Sequence, residues 1–390
     1  MRTVSRDSIL DGMRGLSALA VFAVHVWIYQ LPNTVALRRD SWEKVLLFEL
    51  RVAFVMFFVL SGYLLYRAFA RAALGSATRV ATGSYLLRRA ARILPGYYVA
   101  LSGALVLLSA AGDVPGRRPV EGSDLPLFFV LGQNYQADTL LRLNAATWTL
   151  AVEAAFYLML PVAGLLAFRL ARGSVPRQAA LIGSLVVAGL GWNLADYLLG
   201  WGAVPGHAPP AFLPYFACGM LVAVAVETRA ARGAPPLQGR ASVALVAIGA
   251  GAVVANGLWH ALDRTPGGFA MEVFADLGAA IGFALLIAAA VAGSGAGLRW
   301  LAARPLAWLG TITYGLYLWH IPLLVFARGN GLLPGGVAST FVVLPAAIAL
   351  GALSWYLVER PAMRLAGRRA RTRSGRQRAA RRRRRAAVAA

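Results

Sequence analysis

Side chains that could do chemistry share one face near the start of the chain. The first long apolar run, Gly15–Leu31, follows Asp11 and Arg14 and contains His25. An α-helix turns by about 100° per residue, so Arg14 and His25 point to the same side, with Asp11 one turn before Arg14. A histidine within an apolar span is costly and is therefore a functional candidate. Imidazole has an unperturbed pKa of about 6.5, which suits a general base.

Arg88, Arg89 and Arg92 form a second candidate group, directly before the apolar run Leu94–Ala111. Spacings of three and four residues place them on one helical face. The neighbouring sequence contains no acidic residue that would neutralise this face. Guanidinium groups bind phosphate in a bidentate fashion, so the group suits a phosphate-bearing ligand. The alternative is a basic anchor that only fixes the orientation of the chain in a membrane.

Further ionisable residues lie within later apolar runs. Glu153 is the only acidic residue of its run, and Trp148 and Tyr157 flank it. His320 lies in the second half of another run. Because an unpaired ionisable group in a bilayer is costly, we expect Glu153 and His320 to have functional or structural partners.

The second apolar run ends in the segment FFVLSGYLLYR, which contains Ser61 and Gly62. Glycine allows two helices in a membrane to approach closely, so we expect Gly62 to be a packing residue. For Ser61 the sequence leaves two interpretations, a packing contact between helices or a polar contact within a site.

The composition indicates a membrane protein. Of the 390 residues, 59% are apolar and 14% are charged, whereas about a quarter of the residues in a soluble domain are charged. The single cysteine, Cys218, excludes an intramolecular disulfide and a cysteine-based metal site. The four histidines are too scattered to predict a metal cluster, so we expect no metal.

Ten apolar runs are long enough to cross a bilayer, which takes roughly 17–25 residues each. They are Gly15–Leu31, Val45–Tyr66, Leu94–Ala111, Trp148–Phe168, Gln178–Leu199, Ala211–Val226, Ala241–Leu258, Glu272–Ala292, Leu306–Phe326 and Ala338–Val358. A shorter run, Leu125–Leu131, is predicted to be re-entrant or interfacial. The pattern predicts an all-α, polytopic membrane helix bundle of about ten transmembrane helices, with the membrane domain over residues 1–360.

The net charge of +23 follows this topology. With the N-terminus in the cytoplasm, 30 of the 39 basic residues lie on the cytoplasmic side, as the positive-inside rule requires, and both termini are cytoplasmic. Thirteen arginines lie between Arg360 and Arg385. Residues 361–390 are predicted to be a disordered tail that either binds anionic lipid or only anchors the topology. This distribution argues against nucleic-acid binding.

Seven segments, taken in order, resemble the membrane acyltransferase 3 family of integral-membrane O-acyltransferases. They are LDGMRGLSALAVFAVH, FFVLSGYLL, RRAARILPGYY, TWTLAVEAAFYLMLP, YFACGMLVA, ITYGLYLWHIPLL and LVERP. The first is similar to the family's Arg-x10-His signature, the third to its Arg-x-x-Arg motif and the fourth to its Trp-Ser-Leu-x-x-Glu region. Thr149 stands where many members have serine and keeps the hydroxyl group. The resemblance covers nearly the whole chain and is to a stand-alone member, without the SGNH-hydrolase domain that some members append.

The resemblance implies transfer of an acyl group, acetyl by default, from cytosolic acyl-CoA to a hydroxyl group of an extracytoplasmic carbohydrate or related acceptor. Such an enzyme lies in the bacterial cell membrane, holds no permanently bound cofactor, and has the donor, the acceptor and the lipid bilayer as partners. Modification of a surface polysaccharide by O-acetylation would be a typical role.

The resemblance also implies roles for the candidate residues. His25 would be the general base, and Arg14 with Asp11 would hold the first helix and help to bind the donor. Glu153 would orient the acceptor or a partner histidine. The remaining residues fall into two groups, the donor-phosphate ligands Arg88, Arg89 and Arg92, and the candidates for acceptor or structural contacts Ser61, Trp148, Tyr157 and His320.

Two other classes of protein fit ten spans with buried ionisable residues. The first is a transporter or flippase of a glycan or lipid-linked substrate, although no inverted internal repeat is visible. The second is a structural or assembly protein of the membrane. Among acceptors, a macrolide-type secondary metabolite is the alternative to a carbohydrate.

Overall fold

A computed structural model describes residues 6–30, 42–114, 117, 119–262, 268–293, 295–336 and 338–369. Within these residues, ten helices are long and apolar enough to cross a membrane. They are α1 (Asp7–Ile28), α2 (Trp42–Ala73), α3 (Thr82–Ser109), α4 (Ala145–Ala171), α5 (Val175–Leu199), α6 (Ala203–Ala231), α7 (Gly239–Leu262), α8 (Phe269–Ala292), α9 (Arg304–Gly329) and α10 (Ala338–Arg369). The described ranges contain no β-strand. The predicted all-α membrane bundle of ten spans is confirmed.

Several of these spans change their winding along their length. They contain 3-10 turns at Leu50–Val52 in α2, Ala145–Thr147 in α4 and Pro209–Phe212 in α6, and π-helical turns at Ala167–Ala171 in α4 and Ser354–Glu359 in α10. In α8, a short helix over Phe269–Phe274 precedes the main helix over Leu277–Ala292. Wide π turns often accompany functional sites, and the one in α10 ends at Glu359, which pairs with an arginine of the cavity described below.

Two spans begin earlier than their apolar runs. Helix α3 starts at Thr82, well before Leu94, and therefore contains the three arginines of the predicted basic face. Helix α1 starts ahead of Asp11. Hydropathy marks only the lipid-like part of a helix, whereas alanine and arginine extend helices readily beyond it.

The last span extends further than expected. Helix α10 continues to Arg369, so residues 361–369, which were expected to be disordered, are helical. The sequence from Pro361 to Arg369 is rich in alanine, leucine and arginine, which are strong helix formers, and its proline stands next to a π turn where the regular hydrogen-bond ladder is already broken. The remainder of the predicted tail, residues 370–390, lies outside the described residues.

Glycines allow two helix pairs to touch at their backbones. In the α2–α6 pair, a Cβ atom at Gly62 would collide with the backbone oxygen of Phe216, so Gly62 is a packing residue, as predicted. In the α1–α9 pair, a Cβ atom at Gly310 would collide with the backbone oxygen of Asp11. Small residues are the usual means of close helix packing in membranes. The second contact brings the Arg14–His25 face of α1 against α9.

Buried polar side chains anchor the connection between α3 and α4. This connection contains a short helix over Leu125–Phe129, within the run predicted to be interfacial or re-entrant. After it, Gln133 donates to the backbone oxygen of Thr147 at 3.1 Å, and Asn144 donates to the backbone oxygen of Leu318 at 2.8 Å. Because buried polar groups without partners are costly, these bonds fix the path of the connection against α4 and α9.

A buried ionic network ties α2 to α7 and α8. Arg51 donates from Nη1 to Asp276 at 2.9 Å, and its Nη2 lies 2.8 Å from Nδ1 of His260. Asn256 donates to the other oxygen of Asp276 at 3.2 Å. Ionisable groups within a bilayer persist when they pair in this way, so we assign this network to the stability of the bundle.

The glycine contact of α2 with α6 gives the first testable prediction. Gly62→Ala should destabilise the protein by about 1–3 kcal/mol, the usual cost of overpacking, because backbone atoms cannot move aside as a side chain can. The apparent melting temperature of the purified protein in detergent should fall accordingly. Gly183→Ala on α5 is the matched control, since a Cβ atom there meets nothing within 4 Å. Equal melting temperatures for the two variants would contradict the packing role.

Candidate active site

A cavity of about 160 Å³ lies between α1, α2, α3, α4 and α9. Its polar lining residues are Arg14, Ser61, Arg89, Arg92, Thr149, Glu153, Tyr157, Thr313, Tyr314 and Tyr317. Phenylalanine and leucine side chains, mainly from α2, complete the wall. We call this space the arginine cavity. It brings together residues from five helices that are far apart in sequence.

Arg14, Arg89 and Arg92, the three arginines of this cavity, differ in their hydrogen-bond and ion-pair partners. Arg14 forms an ion pair with Asp11 at 3.0 Å, and both side chains are partly exposed. The pair lies one turn apart on α1, as the sequence spacing predicts. It fixes Arg14 at the cavity wall while most of its guanidinium donors remain available.

Arg92 is neutralised by a carboxylate from the other end of the chain. Its Nη1 lies 2.6 Å from Oε2 of Glu359, a residue with 0% side-chain exposure in the π turn of α10. The guanidinium also lies over the rings of Tyr314 and Trp355, at 5.3 and 5.1 Å from their centroids. Ser354 donates to the second oxygen of Glu359 at 3.0 Å. Arg92 thus connects α3 with α9 and α10, and its charge is balanced within this contact.

Arg89 differs from both of its neighbours in the cavity. It lines the cavity, and its Nε atom is buried without a hydrogen-bond partner among the described residues. A buried guanidinium donor without an acceptor is costly unless a ligand supplies one. Arg89 is therefore the residue of this group whose geometry best suits an anionic ligand.

Glu153 lines the same cavity and accepts hydrogen bonds from two hydroxyl groups. Ser61 donates to Oε1 at 2.8 Å, and Tyr157 donates to Oε2 at 2.7 Å. Of the two contacts considered for Ser61, packing or polar, the structure shows a polar contact, with a residue that lines the cavity. The structure places Glu153 in the cavity that Arg14, Arg89 and Arg92 also line.

The two histidines of α1 and α9 form a pair. Nε2 of His320 lies 3.0 Å from Nδ1 of His25, and the ring centroids are 5.0 Å apart. His320 is 1% exposed. The partner histidine expected for Glu153 is therefore absent from its described contacts, and the partner of His25 is His320.

Hydrogen-bond chemistry fixes the direction of this pair. Nδ1 of His320 lies 2.6 Å from the backbone oxygen of Tyr317. A carbonyl oxygen only accepts, so Nδ1 of His320 carries a proton and donates it, and Nε2 of the neutral ring carries a lone pair. His25 must then donate from Nδ1. In a neutral His25 this leaves the lone pair on Nε2, which is the form that a general base needs.

Tyr317 separates the histidine pair from the arginine cavity. It lines the cavity, its hydroxyl donates to the backbone oxygen of Ala146 at 2.7 Å, and its ring centroid lies 5.5 Å from that of His320. The hydroxyl of Thr149 lies 2.7 Å from the same Tyr317 oxygen. The pair therefore lies directly behind the wall that Tyr317 and Thr149 form.

Two predicted site residues lie elsewhere. Arg88 is exposed and is absent from the cavity lining, because the helix turns it away from Arg89. Trp148 packs in an aromatic cluster, with its ring 5.0 Å from His207 and 5.1 Å from Phe212, and does not line the cavity. A basic face defined by spacing alone cannot distinguish a residue that faces the bundle from its lipid- or water-facing neighbour.

Three residues of the site were not assigned a role from sequence. Glu359 lies in the segment LVERP, and Tyr314 and Tyr317 lie in ITYGLYLWHIPLL, so each belongs to a segment that carried the family resemblance. Their partners are distant in sequence, since Glu359 contacts Arg92 on α3 and Tyr317 contacts Ala146 in α4. No local pattern encodes such contacts.

Comparison with known proteins gives a consistent result. The sequence profile of a family described as "Acyltransferase domain" matches residues 7–360, which include every residue of the arginine cavity and both histidines of the pair. A relative from Streptomyces mycarofaciens, named Acyltransferase MdmB, is 27% identical over 399 residues, covering 94% of this chain and 94% of the relative. No solved structure matches the chain. On the strength of this match over a ten-span bundle, the chain belongs to the Acyltransferase domain family and is a multi-pass membrane O-acyltransferase.

Proposed function

We propose that the protein transfers an acyl group, acetyl by default, from cytosolic acyl-CoA to a hydroxyl group of an extracytoplasmic carbohydrate or related acceptor. The observation that carries the proposal is the oriented histidine pair, placed directly behind a cavity that holds three arginines. Orientation follows the positive-inside rule, with the arginine cavity toward the cytosol and the protein in the cell membrane. A phosphate-bearing thioester from the cytosol would then reach the cavity from the side where such donors occur.

The donor would be held by charge and hydrogen bonds in the arginine cavity. Arg89 would bind a phosphate of acyl-CoA, because its buried Nε atom needs an acceptor. Arg14, fixed by Asp11, would add a second guanidinium. Arg92 would act indirectly, since Glu359 already balances its charge and the pair holds α3 and α10 in place.

His25 would act as the general base of the transfer. Nε2 of His25 takes the proton of the acceptor hydroxyl as its oxygen attacks the thioester carbonyl carbon. The new C–O bond forms as the C–S bond breaks, and the proton passes from His25 to the departing CoA thiolate. The imidazolium of His25 keeps its Nδ1 bond to His320, because Nε2 of His320 is already oriented to accept. No rearrangement of the pair is needed during the step.

Glu153 would shape the donor site rather than exchange protons with His25. Its two hydrogen bonds to Ser61 and Tyr157 lock the carboxylate in the cavity wall. A fixed negative group next to the arginines would orient their N–H donors. It would also repel any anion beyond the one that the arginines bind. The transporter alternative lacks a comparable use for the oriented pair, whereas family membership supports group transfer.

The donor site gives the second prediction. Arg89→Gln should raise the KM for acetyl-CoA about tenfold or more, since a hydrogen bond to a charged group contributes about 1.5–3 kcal/mol. The KM for S-acetylpantetheine, which lacks the nucleotide phosphates, should not change. Arg304→Gln, an exposed arginine at the start of α9, is the control and should behave as wild type. A loss of equal size with both donors would contradict phosphate binding by Arg89.

The third prediction separates the structural arginine from the ligand-binding one. Arg92→Gln should destabilise the protein by about 3–5 kcal/mol, because it leaves the buried Glu359 charge without its partner. Adding Glu359→Gln should restore most of the melting temperature, which can be followed in detergent. If the double variant is no more stable than Arg92→Gln, the ion pair does not have the proposed structural role.

The fourth prediction concerns the positioning of the base. His25→Ala should abolish transfer of labelled acetyl groups, and His320→Leu should lower kcat about 10²-fold or more with an unchanged donor KM. His320→Gln should recover part of kcat, because a glutamine side chain can place an acceptor oxygen near the position of Nε2. Equal kcat values for the leucine and glutamine variants, at normal membrane levels, would contradict an acceptor role for His320.

A further inference from the structure

A second, larger cavity of about 630 Å³ lies on the other side of the histidine pair. Tyr29, which directly follows the end of α1 and lies four residues after His25, lines it. Ile321, the residue after His320 on α9, lines it as well. The arginine cavity is lined instead by Tyr317, one turn before Ile321. Residues only one turn apart on α9 therefore line different cavities, and His320 lies between them in the sequence. Helix α4 shows the same change, since Ala145 lines the second cavity and Thr149 the first.

Three arginines also line this second cavity, which we call the distal cavity. They are Arg117, Arg142 and Arg328, and none of its described lining residues is acidic. Arg117 donates to the backbone oxygen of Leu108 at 2.8 Å, and Arg328 donates to the backbone oxygen of Tyr29 at 2.7 Å. The bond of Arg117 uses one of the five N–H groups of its guanidinium and a neutral acceptor, so it holds this cation at the cavity without neutralising its charge.

The rest of the distal cavity is largely apolar. Its walls are formed by Leu105, Leu108, Val114, Val120, Leu140, Leu141, Leu143, Ile321 and Val325. A volume of this size with apolar walls and a few placed cations is typical of a site for an organic ligand. It would bury a hydrocarbon or ring portion and hold an anionic group at the arginines.

The wall that carries Arg142 is built with backbone strain. The φ angles of Leu141 and Leu143 are 59° and 57°, in the left-handed region that non-glycine residues rarely adopt. Asn144 holds this turn in place, since its amide nitrogen donates to the backbone oxygen of Arg142 at 2.6 Å and its side chain to Leu318 at 2.8 Å. Strained residues persist only where the surrounding structure fixes them, and they cluster at binding sites.

We propose that the distal cavity is the acceptor site, and that it selects an acceptor with an apolar portion and an anionic group, a carboxylate or a phosphate, near the hydroxyl to be acylated. This proposal rests on the proposed function for the identity of the reaction. The anion would bind Arg142, with Arg117 beside it. The apolar portion would lie against the leucine wall, and the hydroxyl would extend toward His25, beyond Tyr29.

Binding of simple glycosides tests the proposal without relying on catalysis. The full-length protein in lipid nanodiscs is titrated by calorimetry with octyl glucoside, octyl glucuronide and octyl glucoside 6-phosphate, each below the concentration at which it forms micelles. At least one anionic glycoside should bind about tenfold or more tightly than the neutral one, as expected for charge-assisted hydrogen bonds. The comparison of glucuronide with phosphate tells which anion is preferred.

Variants of the distal arginines locate the effect. Arg142→Gln should reduce the preference for the anionic glycoside to less than about threefold, and Arg142→Lys should retain part of it. Arg117→Gln should weaken the preference in the same direction. Arg304→Gln, whose exposed side chain lines neither cavity, should leave the preference unchanged. Equal binding of all three glycosides to the wild type, or an intact preference in Arg142→Gln, would overturn the proposal.

Acetyl transfer from labelled acetyl-CoA, measured in the same nanodiscs, separates this proposal from the proposed function. Selective binding that depends on Arg142, without any transfer, would support the distal site and count against the acyl-transfer function. Transfer to neutral and anionic glycosides at equal efficiency would support the function and overturn the selectivity of the distal site.

Discussion

The hydrogen bond between His25 and His320 joins the two helices on which the site depends. It forms only because α1 and α9 touch at their backbones, where Gly310 leaves room for Asp11. The carbonyl of Tyr317 fixes the proton on one ring of the pair, and this ring fixes the proton on the other. A lone pair at a defined atom of His25 thus results from helix packing and not from a nearby carboxylate. The same contact places Arg14 in the arginine cavity, so the proposed base and part of the proposed donor site depend on one helix contact.

The low polarity of the bilayer accounts for most of the remaining polar architecture. An ionisable group in a span needs a partner, and the structure supplies one from a different helix in nearly every case discussed. Glu359 balances Arg92, and Asp276 balances Arg51. Ser61 and Tyr157 each donate a hydrogen bond to one oxygen of Glu153. Against this background the buried Nε atom of Arg89, which has no partner among the described residues, indicates a place where a ligand completes the structure.

The sequence predicted the bundle and singled out many residues that line the arginine cavity or form the histidine pair, because both depend on local patterns. Apolar runs gave all ten spans, and helical spacing placed Asp11, Arg14 and His25 correctly on one face of α1. Spacing could not decide which arginine of the basic face lines the cavity, and Arg88 proved to be exposed. The pairing of Arg92 with Glu359, and of His25 with His320, joins residues that are far apart in the chain. Such pairs depend on which helices are neighbours, and hydropathy contains no information on that order.

The protonation pattern of the histidine pair is the most direct test of this account. The ¹⁵N chemical shifts of histidine-labelled protein in lipid bilayers distinguish protonated from bare ring nitrogens, and loss of signals in His25→Ala and His320→Gln assigns them to the two rings. At a pH where the rings are neutral, we predict that both carry the proton on Nδ1 and that Nε2 of His25 is bare. A proton on Nε2 of neutral His25 would contradict the account, because the pair would then present no lone pair to an acceptor hydroxyl.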